Sequence, residues 1–184
     1  MKTKLLILVL ALQSVWLLGT AFVQERGLQT GRLILLETQP VDPRDLLRGD
    51  YVRLNYTIST VPRERFFSPP LPGDVLSGAT VYLALTPTGT NDFYQIARAS
   101  TGRFAPAANE VIVRGKVAQR WWNNSANAIR VEYGIEQFFV AEGTGNPRGK
   151  LTVQVVVSKS GRANIKEVLV DGKPYAEAMR NNTP

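Results

Sequence analysis

The chain predicts a mainly β fold: an N-terminal transmembrane helix followed by one antiparallel β-sandwich or partly open β-barrel domain. Three observations predict it. Beyond residue 30, apolar and β-branched residues alternate over short runs separated by turn residues, and no helical period of useful length appears. Before residue 30, Leu5 to Val23 is apolar apart from Gln13, Ser14 and the Gly19-Thr20 pair. The length, 184 residues, leaves room for one domain and an anchor but cramps two domains. The expected division is 1–30 for cytoplasmic lysines, anchor and stalk, 31–176 for the exported domain, and 177–184 for a fraying polar tail.

The anchor comes first. A helix over residues 5–23 spans about 28 Å, close to the hydrocarbon thickness of a bilayer. Lys2 and Lys4 enter lipid only at high cost, so they stay in the cytoplasm and the chain after the helix is translocated. Trp16 lies in the second half of the run, and Phe22 is placed near the outer interface. A cleavable secretory signal is the competing reading, with Gly19 and Ala21 as its small-residue site. The long apolar core, continued by Phe22-Val23, favours retention. Both readings export the domain.

Gln24 to Thr30 extends the helix as a stalk, ended by Gly31. Leu33 to Glu37 reads as a strand, Pro40 and Pro43 bracket a turn, and Asp45 to Asp50 forms one tight helical turn. Tyr51 to Ile58 follows as an aromatic, β-branched strand. Val61 to Gly73 holds four prolines and reads as a surface loop. Ala79 to Leu85 and Phe93 to Ala99 form a hairpin across the turn 86–92. Glu110 to Val117 and Ala128 to Tyr133 alternate on either side of the turn 123–127, and Ile135 to Val140 is a compact aromatic segment. A flexible loop over 142–149 leads into a last hairpin, Leu151 to Val157 with Ala163 to Val170, closed by Asp171-Gly172.

Composition excludes much chemistry. With no cysteine there are no disulfides, thiol nucleophiles or thiolate metal sites, and with no histidine the commonest general base and metal ligand are missing. No metal site and no cofactor is therefore expected. The net charge is +7, and setting aside Lys2 and Lys4 leaves 20 bases against 15 acids. The arginines are scattered rather than clustered, which favours a solvated basic surface beside acidic lipid headgroups over nucleic-acid binding.

One run is distinctive: Val41 to Tyr56, with Gly49-Asp50-Tyr51, Leu54 and Tyr56. A second block runs from Tyr133 through Gly134, Glu136 and Phe138 to Glu142 and Gly143, and the chain nears its end at Val168-Leu169-Val170-Asp171-Gly172. Together these resemble the GDYxxLxY family of bacterial proteins, named after the first signature, over nearly the whole exported region. The resemblance implies membrane anchoring, an exported domain and encoding near multi-span membrane proteins; it implies no reaction. One departure is visible. Where the family often has an acidic, more helical stretch after the second block, this chain has Asn146-Pro147-Arg148-Gly149-Lys150.

The first motif has a structural explanation in its residues. Asp45 caps a turn, Gly49 supplies a positive φ, and Asp50 accepts backbone bonds or pairs with Arg44 or Arg48. Tyr51 and Tyr56 face opposite sides of a strand, and Leu54 shares the face of Tyr56. A turn-and-strand nucleus is the preferred reading. The functional alternative makes Arg44, Asp45, Arg48, Gly49, Asp50 and Tyr51 a docking face.

Catalysis has weaker support, and no catalytic residue is assigned. Asp42, Asp45, Asp50, Glu136 and Glu142 could supply paired carboxylates, although a glutamate such as Glu136 more often pairs with an arginine, here Arg130. A serine–lysine hydrolase shares the architecture of anchor plus β-domain. This chain lacks the Ser-Met-x-Pro nucleophile motif, and its later lysines are Lys116, Lys150, Lys159, Lys166 and Lys173. Trp121 and Trp122 could offer a stacking platform to a ligand, or one could be core and the other rim. The expectation is a single-pass protein of the cytoplasmic membrane, N-terminus inside and domain periplasmic. It would serve as an interaction or accessory subunit beside a multi-span membrane protein.

Overall fold

The computed structural model describes residues 2–39, 51–67, 77–89, 92–118, 127–140 and 149–180. Within these, the side chains of residues 3, 21, 23, 24, 26–29 and 51 lie outside the description.

Helix α1 (Lys2–Thr30) carries apolar residues on all sides from Leu5 to Leu18, apart from Gln13 and Ser14, so no single face directs it onto a core. Leu5, Leu8, Leu12, Trp16, Leu18 and Phe22 are all more than half exposed. Among the described residues no helix is long and apolar enough to cross a membrane. The apolar run read from the sequence extends through Ala21 and Val23, whose side chains are among those not described. The expected N-terminal helix is present, but within the described residues it falls short of the length and apolarity of the expected transmembrane span.

The rest is mainly β, with a partly open five-stranded barrel. The strands are β1 (Arg32–Glu37), β2 (Tyr51–Arg53), β3 (Thr60–Pro62), β4 (Thr80–Pro87), β5 (Tyr94–Ser100) and β6 (Val111–Val117). After them come β7 (Ala128–Glu132), β8 (Gln137–Phe139), β9 (Leu151–Val157), β10 (Ala163–Val170) and β11 (Lys173–Pro174). The five-stranded antiparallel sheet has the order β3-β7-β6-β4-β5. After β3, a short 3₁₀ turn over Arg63–Arg65 carries Phe66 to a bridge with Ala99 of β5, partly closing the sheet on itself. A four-stranded sheet, β1-β9-β10-β11, joins this barrel through a bridge from Leu35 to Phe93. A two-stranded ribbon, β2-β8, completes the fold.

Alternation decides which residues face in. In β6, Val111, Val113, Gly115 and Val117 are buried while Arg114 and Lys116 point to solvent. Val81, Leu83 and Leu85 of β4, Ile129 and Val131 of β7, and Val153 and Val155 of β9 join them in one continuous core. Gly115 is required by packing rather than by backbone conformation. A Cβ there would overlap Val131 Cγ1 and sit 3.0 Å from the Glu132 carbonyl oxygen. Strands β6 and β7 approach this closely only without a side chain.

Three elements depart from the sequence reading. The expected strand 51–58 ends at Arg53; Tyr56 then makes an isolated bridge to Thr38, and Thr57–Ser59 forms a 3₁₀ turn. The expected loop 61–73 begins as β3, whose Pro62 is tolerated because β3 lies at the end of its sheet. The polar tail does not fray from residue 177: α2 (Tyr175–Arg180) buries Tyr175 and Met179, four positions apart on one face. Residues 181–184 lie outside the described residues.

Candidate functional site

The two sequence motifs meet. Strands β2 and β8 pair antiparallel, Tyr51 opposite Phe139, Val52 opposite Phe138 and Arg53 opposite Gln137. The register continues one step further, where the Leu54 N–H donates to the Glu136 carbonyl at 2.8 Å. Leu54 and Tyr56 both face inward and are fully buried, as their shared face required.

Beyond the ladder, the motifs exchange tyrosine hydrogen bonds. The Tyr56 hydroxyl donates to the Ile135 carbonyl at 2.7 Å, and the Tyr133 hydroxyl donates to the Ile58 carbonyl at 2.5 Å. Each tyrosine lies two residues before the carbonyl that receives its counterpart, so the two segments clasp each other reciprocally. Both rings are in the core, and burial followed by the nearby Glu136 charge raises both phenol pKa values well above the ordinary tyrosine range. These hydroxyls stay protonated and donate; they do not shuttle protons at neutral pH.

Glu136 holds the turn of the second motif. Its carboxylate accepts the Tyr133 N–H at 2.5 Å and the Gly134 N–H at 2.9 Å. Gly134 has φ +81 with open space where a Cβ would be, so glycine is needed there for backbone conformation. The expected pairing of Glu136 with Arg130 is not formed. Arg130 donates instead to the Asn55 side-chain oxygen at 2.9 Å, because the turn N–H groups already hold the carboxylate. Asn55 also donates to the Gln39 side chain at 3.0 Å, tying the first motif to the end of β1. Phe138 packs inward, its ring edge-on to Tyr175 at 5.5 Å. Phe139, beside it, is 72% exposed.

Of the expected site residues, Leu54, Tyr56, Tyr133, Gly134, Glu136 and Phe138 are thus brought together, with Tyr51 joined through its backbone. Arg44, Asp45, Arg48, Gly49 and Asp50 lie outside the described residues, as do Glu142, Gly143, Trp121 and Trp122. Asn55, Ile58 and Ile135 were missed. Asn55 sits at a variable position of the signature, and the two isoleucines contribute carbonyls, for which sequence carries no mark.

A family model described as GDYXXLXY protein matches residues 13–168, which includes both motifs and the clasp between them. The chain belongs to the GDYXXLXY family. No curated protein and no solved structure matches it. In this GDYXXLXY chain the signature's Leu54 and Tyr56 are core residues, and Tyr56 is one half of the tie to the second block.

A second cluster lies apart from the motifs. Arg98 grips Glu110 through two bonds of 3.0 and 2.7 Å, and its guanidinium rests against Phe67 and Phe104. The hydrogen bond from Arg98 is the main cause holding the Glu110 carboxyl below its usual range. Among the described residues no group of three or more acidic side chains converges as a metal site would need.

Proposed function

We propose that this GDYXXLXY protein is a single-pass membrane-anchored accessory subunit. Its β domain sits on the outer side of the cytoplasmic membrane and docks a multi-span membrane protein. The carrying observation is α1, a 29-residue helix whose stretch from Leu5 to Leu18 is apolar apart from Gln13 and Ser14, with its large apolar side chains exposed. Such a surface demands cover, and the domain completes its core without it. Two details fit a lipid environment. Ser14 donates to the Leu10 carbonyl at 2.9 Å and Thr20 to the Leu17 carbonyl at 2.8 Å, so these two hydroxyls are satisfied within the helix. Lys2 and Lys4 mark the end that stays in the cytoplasm.

The docking face in this reading is the β2-β8 ribbon that continues the first motif. There the exposed Phe139 ring is opposite Tyr51 in the register, an aromatic anchor of the kind that dominates interfaces. A photo-crosslinking residue placed at Phe139 in intact membranes is expected to trap one multi-span membrane protein, whereas the same probe at exposed Lys173 traps nothing discrete. Identical products from both positions would overturn the docking face.

A further inference from the structure

The turn between β9 and β10, Ser158 to Arg162, faces α1 across an open groove of ≈ 880 Å³. The helix wall is mostly apolar, Val15, Trp16 and Gly19 with Thr20 and Thr30, and the domain wall is polar and cationic, with Arg114, Lys159 and Arg162 beside Ser158, Ser160 and Asn164. A neighbouring groove of ≈ 430 Å³ shares Thr30, Ser158, Lys159 and Ser160 and adds Arg32 and Arg103. Five cations thus gather where the chain leaves the helix, Arg32 being two residues beyond its last turn.

The acid beside them does not neutralise them. Glu110 lines the smaller groove, but its carboxylate is engaged by Arg98 and by the Ala107 N–H at 2.8 Å. Among the described residues none of the five cations is in a salt bridge. The turn itself is braced: Arg103 donates to the Lys159 carbonyl at 3.3 Å, Gly161 accepts the Arg114 N–H at 2.8 Å, and the Ser158 and Ser160 hydroxyls meet at 2.8 Å.

We infer that this groove binds the headgroup of an anionic bilayer phospholipid, with the lipid's apolar part against α1. The inference rests on the membrane reading above. It follows from the order of the two walls: one side suits acyl chains, and the other presents guanidinium and ammonium groups to a phosphodiester. A free phosphate would have no use for the apolar wall.

The test uses the full chain in nanodiscs of mixed phosphatidylglycerol and phosphatidylcholine, reading the lipids that stay with the protein on release into mild detergent. The wild type is expected to enrich phosphatidylglycerol on the order of tenfold. Combined Arg114→Gln, Lys159→Gln and Arg162→Gln should bring the ratio near unity, while Lys166→Gln, Lys173→Gln and Arg180→Gln together leave it unchanged. All six side chains are outside the core, and circular dichroism checks that both variants fold. Equal enrichment in the two triple variants would overturn the site, as would displacement of the lipid by millimolar inorganic phosphate. Failure to enter nanodiscs at all would remove the membrane reading and this inference together; entry without lipid selectivity removes only this inference.

Discussion

Replacing Tyr56 by alanine is expected to cost the domain about 3–5 kcal/mol, the range for deleting a large buried ring. The side chain is fully buried and its hydroxyl closes one half of the clasp between the two motifs. Tyr56→Phe keeps the ring and leaves the Ile135 carbonyl without its donor, at a cost of about 1–3 kcal/mol. Tyr133→Phe does the same to Ile58, and the double variant should fall short of additivity because both bonds hold one junction.

The clasp also carries a pH signature. Both phenol pKa values are raised in the folded state, so the unfolded chain ionises first. Their contribution is complete below the unfolded pKa of about 10 and is lost as pH rises above it, by about 1.4 kcal/mol per unit for each tyrosine. Urea unfolding at pH 7 and pH 11 should show the gap between wild type and the double phenylalanine variant shrinking at the higher pH. A gap that stays constant would mean the hydroxyls are not the buried donors described.

Gly115→Val is expected to be the second most damaging change. The first added carbon overlaps a Val131 methyl and presses on the Glu132 carbonyl and the Tyr133 ring, so Val131 must move while two further neighbours crowd the site. The penalty should be about 3 kcal/mol, at the upper end for overpacking, and should lower Tm by roughly 10 °C. Thermal unfolding of Gly115→Val beside Gly102→Val, at a glycine in a bend with open space, sets this steric cost against a substitution that meets no clash. Gly102 would meet only the Ser100 hydroxyl, at 3.9 Å. Equal losses at the two positions would contradict the close approach of β6 and β7.

Local alternation made much of this fold legible. Strands β4, β5, β6, β9 and β10 follow the sequence reading because each is a run of seven or eight residues between turn signals, with clean alternation in β6. Strands β3 and β11, of three and two residues, were too short for any period to register. The segment after Arg53 misled because its residues favour strand, whereas its bonds go to partners far along the chain. Tyr56 reaches a carbonyl 79 residues away and Tyr133 one 75 residues away. Sequence placed Leu54 and Tyr56 on one face, but could not say that the two motif blocks pair. Gly115 did carry a readable signal, a lone glycine inside an alternating strand, which marks a close approach.

The clasp explains why the signature's last two positions are a leucine and a tyrosine without assigning them a ligand. The account of what the protein does rests instead on α1 and on which side of a membrane the domain stands. The chain has no cysteine, so Lys173→Cys provides a single thiol at an exposed position of β11. Intact cells treated with a membrane-impermeant maleimide, then fractionated with alkaline carbonate, give the direct reading. The account predicts labelling without permeabilisation of the cytoplasmic membrane, on full-length protein that stays in the membrane pellet. Labelling only after that membrane is opened, or labelled protein released by carbonate, would contradict it.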